Sequence, residues 1–251
     1  MITTQGLTKA YGQSTVVDDV NIAIAQGGVT SIIGANGAGK STLLTMIARL
    51  KEPTAGEVLL DGRDVRRVDG RELARQMSIL RQENHLTARL SVREIVSFGR
   101  YPYSGGKLTP EDHRKVDEAL EYMDLKPLAS RNLDQLSGGQ RQRAFVAMIL
   151  AQDTSYVLLD EPLNNLDMRH SVAMMKLIRR TADELGKTVV IVIHDVNFAA
   201  SYSDQILALK DGHVVAYGAP DEIMTPETLH AIYDCDVEVV NVGGRPVAVY
   251  F

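Results

Sequence analysis

The stretch that decides the fold is "GVTSIIGANGAGKST", residues 28–42, in which an apolar run leads directly into a glycine-rich loop. Residues 28–34 have the apolar, β-branched composition of a strand buried on both faces, which is typical of a parallel sheet covered by helices. Residues 34–42 have the spacing G-x-x-x-x-G-K-[ST], and a helical pattern follows them. This series of strand, loop and helix predicts an α/β fold with a phosphate-binding loop.

Residues 34–42, called the phosphate loop below, can be given individual roles. The backbone amides of residues 37–42 would surround the phosphates, Lys40 would neutralise the charge of the β- and γ-phosphates, and the Ser41 hydroxyl would hold Mg²⁺. The alternative is a glycine turn capped by Ser41, which explains neither the strand before it nor the helix after it. The nucleotide-binding residues predicted here are Gly34, Asn36, Gly37, Ala38, Gly39, Lys40, Ser41 and Thr42.

Two further apolar runs, residues 155–162 and 187–195, are predicted to be buried strands of the same sheet, and each ends in polar residues. Ligands of open α/β sheets bind at the carboxyl ends of the strands. We therefore expect the polar residues at these two strand ends to converge with Lys40 on one crevice.

The polar strand ends are Asp160 and Glu161 in one run and His194 in the other. Asp160 is a candidate for holding Mg²⁺, and Glu161 is placed to polarise an attacking water. His194 would contact a γ-phosphate or orient Glu161. Alone, two adjacent acids are as often ordinary solvated residues, and a lone histidine is more often structural. The phosphate loop upstream favours the functional interpretation.

The rest of the chain predicts a peripheral β layer and a helical insertion. Residues 87–152 have a helical pattern, with a capping box from Ser91 to Glu94, a helix that begins at Thr109-Pro110, and a loop at 101–110. A further helix is expected at 168–185. The predicted organisation is a single domain, residues 1–251, with an α/β core at 1–86 and 153–251 and a helical subdomain at 87–152. Flanking antiparallel strands are expected within 20–25, 55–62, 206–218 and 237–251.

The segment "LSGGQRQRA", residues 136–144, begins a predicted helix with two glycines. Ser137 and Gln140 have capping-box spacing, which explains those two residues. Gly138 and Gly139 each cost about 1 kcal/mol relative to alanine within a helix. They are understandable if a ligand lies directly on the backbone amides, because a bare helix N-terminus binds anions.

Composition limits the class of protein. The 251 residues include one cysteine and carry a formal net charge of −5, which disfavours a disulfide framework and a broad nucleic-acid surface. The N-terminus has no secretion pattern, and the longest aliphatic run, Val189 to Ile193, is too short to span a bilayer. A cytoplasmic location is expected, with any membrane role exerted through a partner. Outside His194, the histidines lack metal-ligand spacing, and no zinc or iron site is assigned.

Taken together, the phosphate loop, "LSGGQ", "VLLDEP" and the strand-end histidine resemble the ATP-binding subunits of ABC transporters over nearly the whole chain. The resemblance implies ATP and Mg²⁺ as cofactors, ATP hydrolysis, and a head-to-tail homodimer in which Ser137, Gly138, Gly139 and Gln140 complete the partner's nucleotide site. It also implies that Tyr11 stacks on adenine, that Gln82 senses Mg²⁺ and the attacking water, and that Asp167 helps to keep the two subunits in register.

The stretches "VSFGRYPYSGG" (96–106) and "DEPLNNLDMRHSV" (160–172) are similar to those of ATPases that serve ferric-siderophore importers, a group that also contains haem and cobalamin systems. This resemblance implies polytopic permease subunits as direct partners, a substrate-binding protein as an indirect partner, no nucleic-acid partner, and a peripheral location on the cytoplasmic face of the membrane.

Three other functions remain open. A soluble ABC ATPase of cofactor assembly would have the same motifs, whereas relatives that act on DNA or ribosomes carry a long coiled coil or two cassettes, which this chain lacks. A kinase of small molecules has no use for "LSGGQ". A non-catalytic binding module would turn over no ATP.

Overall fold

The computed structural model describes residues 1–82 and 88–250, which divide into two compact units: residues 1–68 with 179–250, and residues 69–82 with 88–178. The strands are β1 Ile2–Tyr11, β2 Ser14–Ile24, β3 Gly28–Ile33, β4 Ala55–Leu60, β5 Arg63–Asp64, β6 Met77–Leu80, β7 Tyr156–Asp160, β8 Thr188–Val192, β9 Gln205–Lys210, β10 His213–Gly218, β11 Glu238–Val242 and β12 Arg245–Val249. The helices are α1 Lys40–Ile47, α2 Gly70–Gln76, α3 Val92–Phe98, α4 Tyr101–Ser104, α5 Pro110–Tyr122, α6 Gly138–Ala151, α7 Met168–Leu185, α8 Val196–Tyr202, α9 Pro220–Ile223 and α10 Pro226–Tyr233.

The first unit contains the predicted parallel strands around β3. Its four strands lie in the order β8-β3-β9-β10; β3 is parallel to β8 and β9, and β10 is antiparallel to β9. Every residue of β8 is buried, as the continuous apolar run predicts. Because Ile32 pairs with Val192, the residues after these two strands, Gly34 and His194, lie at the same edge of the sheet.

The predicted strands are present and pair antiparallel, except that β9, in the range 206–218, is antiparallel to β10 but parallel to β3 and so belongs to the parallel sheet. A second sheet in the first unit has the order β2-β1-β4-β5, with antiparallel pairing throughout, and β11 and β12 form a separate hairpin. The turn from β9 to β10 falls at Asp211 and Gly212, whose φ angles of 48° and 82° are left-handed. The last residue of the predicted range 237–251 lies outside the described residues.

The second unit pairs β6 and β7 in parallel, and helices α3, α5 and α6 pack against one another. Residues 88–152 contain helices and no strand, as the sequence predicts, and the predicted capping box at Ser91 is present. The helix predicted at Thr109-Pro110 begins at Pro110, and Thr109 also forms a capping box, which was not predicted from the sequence. Helix α7 has the predicted bounds, and the adjacent Met174 and Met175 are buried. Residue 87 and the predicted core boundary at 86 lie outside the described residues, so the bounds of the helical subdomain stay a prediction.

The loop predicted at 101–110 is wrong in its first part, because residues 101–104 form the one-turn helix α4. Two arginines explain the turn. Arg100 lies over the Tyr103 ring, 3.9 Å from its centroid, and the Arg75 Nε donates a hydrogen bond to the Pro102 carbonyl at 3.1 Å. Neither contact is visible in the spacing of the segment. Gly105 ends the turn with a φ of 58°.

Candidate nucleotide site

The backbone of the phosphate loop requires glycine at its turning points. Gly34, Gly37 and Gly39 have φ angles of 143°, 83° and 96°, a region that other residues rarely adopt. A Cβ on Gly34 would lie 2.1 Å from the Leu209 carbonyl oxygen, and one on Gly39 would lie 2.5 Å from the Val16 carbonyl oxygen. The loop is therefore held against the residues around it, in a shape that only glycine permits.

Lys40 is the first residue of α1 and places a buried positive charge at the centre of this loop. Its side chain is 5% exposed, and its ammonium donates to the carbonyl oxygens of Gly34 and Ala35 at 2.8 and 2.9 Å. Ser41 and Thr42 follow in the first turn of α1 and are half-buried. An ammonium group next to a helix N-terminus can bind an anion such as a phosphate.

His194 is exposed and lines a cavity of about 290 Å³, together with Val196 and residues of the C-terminal segment. Among these is Tyr233, whose hydroxyl is the single buried side-chain polar atom without a hydrogen-bond partner in residues 1–82 and 88–250. Burial raises the pKa of Tyr233 to about 12; the Gly34 backbone acts against this rise without reaching hydrogen-bond geometry. Sequence reasoning found no role for the C-terminal segment; the structure places part of it beside His194.

Tyr11 ends β1 and is 48% exposed, so an aromatic ligand can reach it. The ammonium groups of Lys9 and Lys51 lie 5.2 and 5.3 Å from the ring centroid, within the range of cation–π attraction. Sequence reasoning missed both lysines, although Lys9 is only two residues from Tyr11 in the same strand. Adenine stacking on Tyr11 stays a prediction.

In the second unit, Asp160 and Glu161 lie at the carboxyl end of β7, as predicted. Asp160 is 4% exposed, and Glu161 is half-buried. Glu161 has a φ of 50°, a left-handed conformation that costs about 1–3 kcal/mol in a residue that is not glycine. Unlike the Asp and Asn residues that favour this region in turns, Glu has no local reason to adopt it. Such strain is concentrated at functional sites.

Two side-chain amides fix the Glu161 carboxylate. Gln82 Nε2 donates to Glu161 Oε2 at 2.7 Å, and Asn164 Nδ2 donates to the same oxygen. Gln82 reaches it because β6 and β7 are parallel, with Leu80 paired to Leu159. The structure thus brings together Gln82 and Glu161, which are 79 residues apart in sequence. Asn164 was not singled out from the sequence.

The predicted capping box at the start of α6 is present. The Gln140 amide N–H donates to the Ser137 hydroxyl at 3.3 Å, and the Ser137 amide N–H donates to the Gln140 side chain at 3.1 Å. The two glycines differ in their surroundings. Gly138 is exposed, and a Cβ there would meet nothing closer than 3.8 Å, whereas Gly139 is buried and a Cβ there would lie 2.5 Å from the His170 ring. Residues 137–140 are called the signature tip below.

Asp167 lies between Glu161 and α7 and binds His170 twice. Its Oδ1 accepts the His170 backbone N–H at 2.8 Å and lies 2.7 Å from His170 Nδ1, which donates because a carboxylate can only accept. These hydrogen bonds hold the pKa of Asp167 below its usual value. Residues 161–167 are called the acidic loop below.

Each unit therefore gathers its own predicted residues. The phosphate loop, Tyr11 and His194 belong to the first unit; Gln82, the signature tip and the acidic loop belong to the second. The oxygen donors Ser41 and Asp160 are of the type that Mg²⁺ prefers. In the described parts of the chain, no three His, Cys, Asp or Glu residues form a metal-binding cluster. Convergence of Lys40 with Asp160 and Glu161 stays a prediction.

A protein-family model described as "ABC transporter" matches residues 17–164, which include the phosphate loop, the signature tip and β7. The chain belongs to the ABC transporter family. Within residues 1–82 and 88–250 of this ABC protein, no helix has both the length and the apolar character needed to cross a membrane.

Relatives of this ABC protein match it over nearly its whole length. It is 50% identical over 251 residues, all of both chains, to the petrobactin import ATP-binding protein YclP of Bacillus subtilis (strain 168). It is 40% identical to the ferric enterobactin transport ATP-binding protein FepC of Escherichia coli (strain K12), covering 97% of this chain and 91% of that protein. A dimeric, post-hydrolysis structure of the ATP-binding cassette MJ0796 bound to ADP and Pi matches with a TM-score of 0.77 at 34% identity, covering 88% of this chain and 99% of that one.

Proposed function

We propose that this chain is the ATP-hydrolysing subunit of an importer of ferric siderophores, attached to the cytoplasmic face of the membrane through a polytopic permease. The observation that carries the cargo assignment is the full-length similarity to the petrobactin import protein. Haem or cobalamin import is the second candidate, because the ATPase does not touch the cargo and its motifs are shared with those systems.

The proposed mechanism uses two copies arranged head to tail, with ATP between the phosphate loop of one copy and the signature tip of the other. Lys40 would exchange the carbonyl oxygens of Gly34 and Ala35 for the β- and γ-phosphates, which are stronger partners for an ammonium group. The exposed amide of Gly138, beside the Ser137 hydroxyl, would donate to the γ-phosphate from the opposite side.

Hydrolysis depends on the second unit in this proposal. Gln82 and Asn164 orient the Glu161 carboxylate, which would polarise the attacking water. Ser41 and Asp160 would hold Mg²⁺, which neutralises phosphate charge when bound. His194 would contact the γ-phosphate. When the γ-phosphate leaves, its contacts to the signature tip are lost, so the closed pair loses its differential stabilisation and reopens. The permease would convert this motion into transport.

A mixed-chain crosslink tests the composite site. Cys235 is the single cysteine and is exposed, so both partners first carry Cys235→Ser together with Glu161→Gln, which should retain ATP. One chain then carries Asn36→Cys in the phosphate loop and the other Ser137→Cys. A short bis-maleimide, which adds one cysteine thiol at each end, should join the two chains when they are mixed with ATP. Crosslinking that is equally efficient without ATP, or absent with ATP and permease present, would overturn the head-to-tail site.

Uptake in a deletion strain tests the cargo. Loss of this gene should abolish accumulation of iron supplied as ferric petrobactin, and expression of the natural chain, but not of Lys40→Ala, should restore it. Unchanged siderophore uptake with lost haem or cobalamin uptake would favour the second candidate. A stable complex with soluble assembly proteins, and none with a polytopic membrane protein, would favour an ATPase of cofactor assembly.

A further inference from the structure

His170 connects two segments that the sequence treats as separate motifs. A Cβ on Gly139 would lie 2.5 Å from His170 Cδ2, 2.9 Å from Cγ and 3.3 Å from Cβ, so the side chain packs directly over the glycine backbone. The same ring holds the Asp167 carboxylate through Nδ1 at 2.7 Å. One side chain therefore contacts both the signature tip and the acidic loop.

The acidic loop also passes close to Gly138. The Asn165 carbonyl oxygen is the nearest atom to a Cβ built on Gly138, at 3.8 Å. Asn164, the residue before it, donates to Glu161. Within the second unit, hydrogen bonds and packing thus run from Glu161 through the acidic loop to His170 and Gly139.

We propose that His170 is a positioning residue that locks the signature tip to the acidic loop, so that both segments meet the partner copy's nucleotide in one fixed arrangement. This inference rests on the head-to-tail dimer of the proposed function. In this inference, glycine is needed at position 139 to leave room for the His170 ring, whereas glycine at position 138 leaves the backbone amide open to a ligand.

The ring has little freedom to adapt. The backbone N–H and the ring Nδ1 of His170 both donate to Asp167 Oδ1, and His170 lies in the first turn of α7. A methyl group at position 139 would have to push the ring away, because 2.5 Å is far inside van der Waals contact. Displacing the ring would break its bond to Asp167, and the acidic loop would lose a link to the signature tip.

The test uses the full chain carrying Glu161→Gln, so that ATP is retained. Four variants are compared: His170→Ala, Gly139→Ala, the double variant, and His170→Asn. The dissociation constant of the ATP-dependent dimer is measured by analytical ultracentrifugation. Amide hydrogen exchange across residues 137–140 and 163–170 is measured on the monomer without ATP. His113→Ala, an exposed histidine on α5, is the matched control.

His170→Ala should weaken the dimer about tenfold, the range of coupling expected between contacting residues, and should speed exchange in both segments. Gly139→Ala should weaken it further, and the double variant should recover part of that loss, because the ring no longer opposes the methyl group. His170→Asn should recover part of the His170→Ala loss, since its amide can still donate to Asp167. The control should leave both measurements unchanged.

The outcomes separate this inference from the proposed function. If the Glu161→Gln parent fails to dimerise with ATP, the head-to-tail site is overturned. If the parent dimerises while His170→Ala changes neither the dissociation constant nor the exchange, the positioning role alone is overturned. An additive double variant, with no recovery of the Gly139→Ala loss, also overturns it, because a merely structural loss at each position predicts that result.

Discussion

The phosphate loop and the signature tip both place glycines at the start of a helix, but the glycines are necessary for different reasons. In the phosphate loop, Gly34 and Gly39 have left-handed φ angles and press against carbonyl oxygens of neighbouring segments. In the signature tip, neither glycine has a left-handed φ. Gly138 is exposed, and a Cβ there would meet nothing closer than the Asn165 carbonyl oxygen at 3.8 Å, whereas Gly139 lies under His170. The phosphate-loop glycines are therefore required by the backbone conformation and packing of the loop itself.

The difference indicates what each segment can do alone. The phosphate loop contains its turn, its helix start and its buried ammonium group, the features from which phosphate binding was predicted. The signature tip contains an exposed helix start without a charged side chain among its four residues. Its open glycine has no structural cause within the described chain, which favours a ligand supplied from outside, as the head-to-tail proposal requires.

The largest expected effect comes from removing the charge of the phosphate loop. Lys40→Ala should reduce ATPase activity about 10³-fold, because the lost charge acts on the transition state. It should also weaken nucleotide binding, since that charge acts on the ground-state phosphates as well. Titration with a fluorescent ATP analogue and steady-state turnover measure both. Lys176→Ala, an exposed lysine on α7, should change neither; natural binding by Lys40→Ala would show that the loop does not act as a phosphate site.

The next effect concerns the ion pair that supports the end of α6, the helix that begins in the signature tip. Arg100 and Asp112 form a buried pair with side chains 5% and 4% exposed, and Arg100 Nη1 donates to the Ala151 carbonyl at the end of α6 at 2.8 Å. Asp112→Asn should lower the free energy of unfolding at pH 7 by about 3 kcal/mol, because it leaves Arg100 buried without its charge partner. Asp117→Asn, which removes an exposed ion pair on the same helix, should cost under about 1 kcal/mol.

The stability that Asp112→Asn removes depends on pH in a direction set by the pKa of Asp112. Burial alone would raise the pKa of Asp112, but the Thr109 amide and hydroxyl and the Arg100 guanidinium outweigh it and hold the pKa below 3.8. A depressed folded-state pKa contributes stability that is fully present above 3.8 and is lost as the pH falls through the folded value. Urea unfolding should therefore show a constant gap between natural and variant chains from pH 7 to 5, which narrows below pH 3.8.

The sequence predicts features that depend on local spacing. The strand, loop and helix around residues 34–42, the capping boxes at Ser91 and Ser137 and the helix at 168–185 all follow from residues a few positions apart, and the structure confirms these elements. Phosphate binding by the loop stays a prediction. The contacts of His170 with Gly139 and of Asn164 with Glu161 are different. The first joins positions 31 residues apart on separate elements, and the second depends on the left-handed turn at Glu161. Neither leaves a periodic signal in the sequence.

A smaller effect tests the backbone requirement of the phosphate loop. Gly39→Ala should lower the free energy of unfolding by about 2 kcal/mol, because its φ of 96° is strained for alanine and its Cβ would meet the Val16 carbonyl at 2.5 Å. Thermal and urea unfolding measure the loss. Gly37→Ala has the same kind of φ but no neighbour within 4 Å, so it isolates the strain from the clash. Equal losses would mean that the clash at position 39 relaxes.

The smallest predicted change, Gly138→Ala, gives the sharpest contrast, because stability and activity should move separately. Gly138 is the exposed first residue of α6, and a Cβ there would meet nothing closer than 3.8 Å, so alanine should leave the free energy of unfolding unchanged or raise it by up to about 1 kcal/mol. ATPase activity should fall about tenfold, equivalent to about 1.4 kcal/mol of the barrier, since a methyl group would stand between the amide and the partner's γ-phosphate. Gly70→Ala is the matched control, because Gly70 is also an exposed first helical residue in the same unit. If Gly138→Ala and Gly70→Ala both keep natural activity, no ligand binds at the Gly138 amide, and the phosphate loop and the signature tip differ only in their backbone conformation.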